Sequence, residues 1–79
     1  MESFSCRVVG VAPKNMLGYF PVALRPNPFP LDARFSLFVL EPHFGQVDVI
    51  FTPDHIELRF MQEPAVELGQ SVTIHYEFR

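Results

Sequence analysis

The chain has 79 residues, 48% of them hydrophobic and 19% charged, with a formal net charge of −3. This length predicts a single domain, residues 1–79, with a small core, and the lone cysteine, Cys6, excludes an intrachain disulfide framework. No signal-peptide pattern and no apolar run of the ~18–20 residues needed to cross a bilayer is found, so we expect a cytoplasmic protein without a membrane partner.

The charge is divided unevenly along the sequence. Residues 41–78 carry one arginine, Arg59, against a set of acidic residues: Glu41, Asp48, Asp54, Glu57, Glu63, Glu67 and Glu77. Phosphate binding by nucleic-acid partners relies on clustered lysine and arginine, so this acidic half makes a nucleic-acid partner an unfavourable interpretation. A basic protein partner fits, and so does a surface that is acidic only for solubility.

The first forty residues predict two strands and a stiff connection. Residues 3–12 are rich in β-branched side chains, with a bulge or bend expected near Gly10, and residues 14–18 read as a turn closed by Gly18. Residues 19–24 form a short second strand, which Pro21 assigns to a sheet edge because proline cannot donate to a ladder. Prolines at alternate positions make residues 25–31 an extended loop, and Phe29 is expected to cap the core.

A β-hairpin is the clearest pattern in the sequence. If the chain reverses at residues 52–55, Asp48 lies opposite Arg59, and six apolar side chains share one face: Val47, Val49, Phe51, Ile56, Leu58 and Phe60. Residues 34–40 are apolar on both parities, which is typical of a central strand that is covered on both faces. Pairing them with residues 47–51 predicts a β-meander at residues 34–62.

The last strand alternates cleanly. Val72, Ile74, Tyr76 and Phe78 are predicted to face the core, while the residues between them face water. Six short strands without helical periodicity predict an all-β fold, either a small six-stranded antiparallel two-sheet sandwich or a partly open barrel.

No arrangement of reactive residues predicts catalysis. The three histidines, at positions 43, 55 and 75, lack metal-ligand spacing, and Cys6 lies in an apolar strand where a thiol is usually a small buried side chain. Glycine-rich phosphate loops and nucleophile elbows are missing. We therefore expect a protein that is not an enzyme and has no catalytic residues, metal or cofactor.

The feature that bears on function is an excess of apolar side chains over those that the predicted core face uses. In the predicted meander, four apolar residues occupy the face opposite the core, among charged neighbours: Phe38, Leu40, Ile50 and Met61. The proline-rich loop could cover this face, or it could be exposed as a partner-binding patch with a charged rim. Phe29 and Phe44 in loops, with Tyr19 and Phe20 on the second strand, are secondary contact candidates.

Three hypotheses follow. The first is a non-enzymatic module that occupies the surface of a protein partner, as a monomer or homodimer, in the manner of small acidic phage-encoded inhibitors of host machinery. The second is an OB-like barrel that stacks single-stranded nucleic acid on Tyr19, Phe20 and Phe29, with Arg25 and Arg34 supplying charge. The third is a structural subunit of a larger assembly. The sequence does not separate the first from the third.

Overall fold

The computed structural model describes all residues, 1–79, and contains strands but no helix. The strands are β1 (Glu2–Val11), β2 (Phe20–Arg25), β3 (Phe35–Glu41), β4 (Asp48–Phe51), β5 (Ile56–Phe60) and β6 (Ser71–Phe78). The predicted all-β class and the number of strands are confirmed. All pairs are antiparallel and belong to one sheet, in the order β3-β6-β1-β2-β5-β4, which curls into a half-barrel instead of dividing into two sheets. There is no helix of the length and hydropathy that a bilayer crossing requires.

The first strand of the chain lies in the middle of the sheet, between the last strand and β2. β1 pairs with β6 from Glu2 opposite Tyr76 to Arg7 opposite Ser71, and its other side pairs with β2. The predicted bulge is confirmed, because the β1–β2 register shifts between Val8 and Gly10. In β6 the alternation also holds, since Val72 and Ile74 are fully buried.

The predicted hairpin is confirmed residue by residue. β4 and β5 pair with Asp48 opposite Arg59 and Phe51 opposite Ile56. The Thr52 N–H donates to the His55 carbonyl over 3.0 Å, which closes the turn. On the core face, the three β5 side chains Ile56, Leu58 and Phe60 are buried, and those of β4 pack partly against them.

The predicted β-meander at residues 34–62 is wrong. β3 pairs only with β6, so β3 and β4 form the two opposite edges of the sheet, although they are consecutive in the chain. The prediction that β3 is a central strand covered on both faces is wrong for the same reason. Because β3 is apolar at both odd and even positions, its sequence is compatible with β4 and with β6 as a neighbour. The pairing with β6 places Leu40 opposite the buried Ile74 and Phe38 opposite Tyr76.

A bulge in β3 also reverses the predicted faces of this strand. The register with β6 shifts between Phe35 and Leu37, so the alternation of side chains restarts after Ser36. Phe38 and Leu40, which were predicted to point away from the core, therefore pack on the core side. Leu37 and Val39, predicted to be core residues, take the outer face.

The assignment of the second strand to an edge is wrong as well. β2 lies between β1 and β5, with Pro21 opposite Arg59. Pro21 is the second residue of the strand, where its missing N–H removes one ladder bond only, and its carbonyl still accepts a bond from the Ala12 N–H over 3.2 Å.

One aromatic side chain fills the hollow of the half-barrel. Residues 26–34 connect β2 to the distant edge strand β3, and the Phe29 side chain on this connection is only 7% exposed. Its ring meets six others edge-on, with centroids 4.9–6.4 Å away: Phe4, Phe35, Phe38, Phe51, Tyr76 and Phe78. The prediction that Phe29 caps the core is confirmed.

Candidate functional site

The structure scatters the six side chains that were predicted to bind a partner. Phe29 and Leu40 are buried, and Phe38 is partly buried in the aromatic cluster. Met61 is 73% exposed, beyond the end of β5, and Ile50 is 36% exposed on the outer face of β4. These side chains therefore do not form one contact patch, and partner binding stays a prediction only for the exposed ones.

Phe44 has a separate role in the connection between β3 and β4. Its ring packs edge-on against Phe60 with centroids 5.7 Å apart. Together with Val47, it lines a cleft of about 720 Å³ between residues 42–48 and residues 59–65, with Met61 at its border. Of the sequence-predicted residues, the structure brings only Phe44 and Met61 together in this cleft.

The charges in this cleft are already partly engaged. The Arg59 guanidinium bonds to the Glu57 carboxylate over 2.6 Å and stands 4.8 Å from the centre of the Tyr19 ring. The bond to Glu57 raises the pKa of Arg59. Because Arg59 is held in this way, the free carboxylates of Asp48 and Glu63 leave the cleft with an acidic border.

The edge strand β3 has no backbone partner on one side. Its backbone hydrogen bonds run to β6 alone, and no other backbone group bonds to residues 35–41. Natural sheets protect edges with prolines, lysines, bulges or very short strands; β3 has a bulge after Phe35 and Pro42 beyond its end, but the stretch from Leu37 to Leu40 contains none of these devices. The Val39 side chain on its outer face is 42% exposed, next to the less exposed Leu37. We call Leu37, Val39 and the free backbone of β3 the β3 edge.

The opposite edge is less accessible to a new strand. β4 has only four residues, begins with the charged Asp48 and is followed closely by Pro53. β3 and β4 do not pair, but their side chains meet across the open side of the half-barrel: the Phe51 ring lies 5.6 Å from Phe35 and 5.7 Å from Phe38, between centroids. β3 has seven residues against four in β4, so β3 is the longer unpaired edge, with its first residues facing the Phe51 ring.

The polar side chains of the hairpin turn form the densest hydrogen-bonded cluster. The Nδ1 atom of His55 lies 2.8 Å from Thr52 Oγ1 and 2.9 Å from Asp54 Oδ1. Both contacts use the same ring nitrogen, so the histidine cannot relay a proton from the hydroxyl to the carboxylate. Hydrogen bonds from His55, then Thr52 and Arg25, lower the pKa of Asp54 to about 2. This cluster holds the turn in place.

Cys6 is enclosed in the core. Its side chain is 2% exposed, and its thiol contacts the Val72 carbonyl over 3.4 Å. Burial raises the pKa of this thiol to about 11, so the reactive thiolate is scarce at neutral pH. His75 bonds to Glu41 over 2.7 Å, and no three histidine, cysteine or acidic side chains converge as a metal site would need. The absence of enzymatic activity stays a prediction.

Sequence reasoning missed Leu37 and Val39 as surface residues, because both were assigned to the core. One signal in the sequence could have located them: Ser36 interrupts an apolar run, as a bulged residue does. The chain matches no known protein family, no curated protein and no solved structure.

Proposed function

We propose that this protein is a non-enzymatic protein-binding module that acts by occupying a partner's surface, with the β3 edge as its docking site. One observation carries the proposal: a seven-residue strand is unpaired on one side and shows apolar side chains there. An extended segment of a partner can add to such an edge, with main-chain hydrogen bonds giving affinity and alternate side chains giving specificity.

The chemistry of the β3 edge favours a segment with apolar residues at alternate positions. Such residues would cover Leu37 and Val39 on the outer face, at roughly 25 cal/mol for each Å² of apolar surface removed from water. Alternate residues of β3 point their N–H and C=O groups away from β6, and a docked strand would satisfy them. Glu41 at one end adds a carboxylate, and the net charge of −3 favours a partner of basic character.

This mode of action fits a small inhibitor that covers a surface of its target. A phage-encoded inhibitor of host machinery is the class we propose, working in a reducing cytoplasm where Cys6 remains a thiol. A homodimer joined through two β3 edges, or a subunit that is permanently paired in a larger assembly, would use the same surface.

Nucleic-acid binding is not proposed as a second function. Phe29, one of its predicted stacking rings, is buried. The Tyr19 ring is covered on one face by Arg59. These side chains do not offer one continuous stacking surface.

A pair of matched lysine substitutions tests the proposal. Val39→Lys places a charge on the β3 edge, and Val11→Lys places the same charge at almost the same exposure, 42% against 43%, on the internal strand β1. Affinity capture from host lysate with wild-type bait identifies the partner, and its binding to both variants is then measured, with sedimentation velocity of each protein alone.

We expect Val39→Lys to weaken binding, or dimerisation, about tenfold or more, while Val11→Lys changes it less than twofold. Equal losses in both variants would show that the edge is not the docking site. A strictly monomeric wild-type protein that captures no partner would contradict the proposed function itself.

A further inference from the structure

Two arginines face each other in the middle of the outer surface of the sheet. Arg7 of β1 is directly opposite Arg25 of β2, and on its other side Arg7 is opposite Ser71 of β6. Side chains directly opposite in an antiparallel pair lie on the same face, with Cβ atoms about 4.5–5.5 Å apart. Ser71, Arg7 and Arg25 therefore form one row across the three neighbouring strands β6, β1 and β2, none of which is the β3 edge.

A shallow depression of about 530 Å³ lies over this row. Its lining includes both arginines, the hydroxyl-bearing residues Ser5 and Ser71, and Pro26, and none of its lining residues is acidic. Donors thus surround the depression: each guanidinium carries five N–H groups, and each serine hydroxyl can donate one bond.

The two guanidinium groups are incompletely partnered. Arg7 makes no ion pair, and its Nη1 atom donates to the Gly69 carbonyl over 2.8 Å. Arg25 pairs with Asp54 over 2.9 Å, but both side chains in this pair are more than half exposed. Because exposed ion pairs are weak, Arg25 can turn part of its donor set toward the depression.

Opposed like charges destabilise a cross-strand pair, and here they occur in a chain with a net charge of −3. Asp54 already pairs with Arg25 and also bonds to His55, and Glu41 bonds to His75, so Arg7 is the arginine of the row without a carboxylate partner. An anion between the two arginines would remove their repulsion and satisfy their free donors at once. Two like charges placed opposite each other, beside a depression lined with hydrogen-bond donors, are typical of a binding site.

We propose that this depression binds one oxyanion of the phosphate or sulfate class. Arg7 supplies the main charge, through paired N–H donors that match the geometry of two oxygens, and Ser5 and Ser71 supply hydroxyl donors. Arg25 contributes while it shares its charge with Asp54. No track of further lysines or arginines leads away from the row, so the site takes a single anionic group and not a polyanion. This site goes beyond the proposed docking at the β3 edge and does not depend on it.

Titration followed by amide NMR tests the inference. The uniformly labelled protein is titrated with inorganic phosphate, sulfate and glycerol phosphate in separate arms, and with sodium chloride at equal ionic strength. The glycerol phosphate arm separates a free anion from a phosphate ester. The variants are Arg7→Gln, and Arg34→Gln as a control that removes the same charge from an exposed position outside the depression.

We expect saturable shifts at the amides of residues 5, 7 and 71 in at least one phosphate or sulfate arm, with affinity about fivefold weaker in Arg7→Gln and less than twofold weaker in Arg34→Gln. If Arg7→Gln loses the dispersed spectrum of a folded protein, Ser5→Ala replaces it with a smaller expected loss. Shifts that match those of sodium chloride, or equal weakening in Arg7→Gln and Arg34→Gln, would overturn the proposal.

Discussion

Removing the ring of Phe29 tests whether one loop side chain holds the half-barrel together. The side chain is 7% exposed and meets six aromatic rings, so Phe29→Ala leaves a cavity that the surrounding strands cannot easily fill. Buried Phe→Ala substitutions cost about 3–5 kcal/mol. A domain of this length is stable by roughly 4–12 kcal/mol, so we expect the variant to lose about a quarter of its stability or more.

Urea unfolding followed by far-ultraviolet circular dichroism measures this loss. With a slope of about 1 kcal/mol per molar urea, the midpoint should fall by about 3–5 M. Leu31→Ala, in the same connection but 58% exposed, is the matched control and should lower stability by less than about 1 kcal/mol. If Phe29→Ala is unfolded without urea, Phe29→Leu gives a smaller, measurable loss. Equal effects of Phe29→Ala and Leu31→Ala would refute the reasoning.

Two further predictions concern titratable groups. Burial raises the pKa of Cys6 to about 11, so we expect the native thiol to resist a disulfide reagent at pH 8 and to react quickly once urea unfolds the chain; full labelling of the native protein within minutes would contradict this. Hydrogen bonds hold the pKa of Asp54 near 2, below the ordinary value of 3.8, so its contribution to stability is complete above pH 4 and is lost as the pH falls toward 2. The difference in unfolding free energy between wild type and Asp54→Asn should therefore be constant from pH 5 to 7 and shrink below pH 4, as urea unfolding at several pH values can show; a difference that grows on acidification would rule this out.

Local patterns in the sequence were sufficient for the elements whose partners are neighbours in the chain. The hairpin register followed from Asp48 and Arg59 and from apolar alternation, because a short turn leaves few ways to pair two strands. The bulge near Gly10 and the turn at Gly18, whose φ is +94°, were also readable, because glycine marks such positions. Phe29 could be assigned to the core because the proline-rich connection contains few apolar side chains that could pack on it.

The order of the strands could not be read from the sequence, because it depends on contacts between distant segments. β3 is apolar on both parities, and this composition fits a central strand as well as an edge strand whose inner face packs on an aromatic cluster. The bulge after Phe35 then moved Phe38 and Leu40 inward and Leu37 outward, which reversed the predicted contact face. The candidate site changed from a patch on one face to an edge, since neighbours in the sheet decide which backbone groups stay free.

The placement of β1 and β6 side by side in the sheet has a consequence for biosynthesis. The strand that joins β1 to β3 in the sheet is β6, which follows β1 to β5 in the chain and is therefore synthesised after them. Until the segment around Ile74 has left the exit tunnel, β1 lacks its neighbour and β3 has no strand to pair with. The order of the sheet is therefore completed only after β6 is made, and until then β1 can pair with β2 alone while β3 has no strand neighbour.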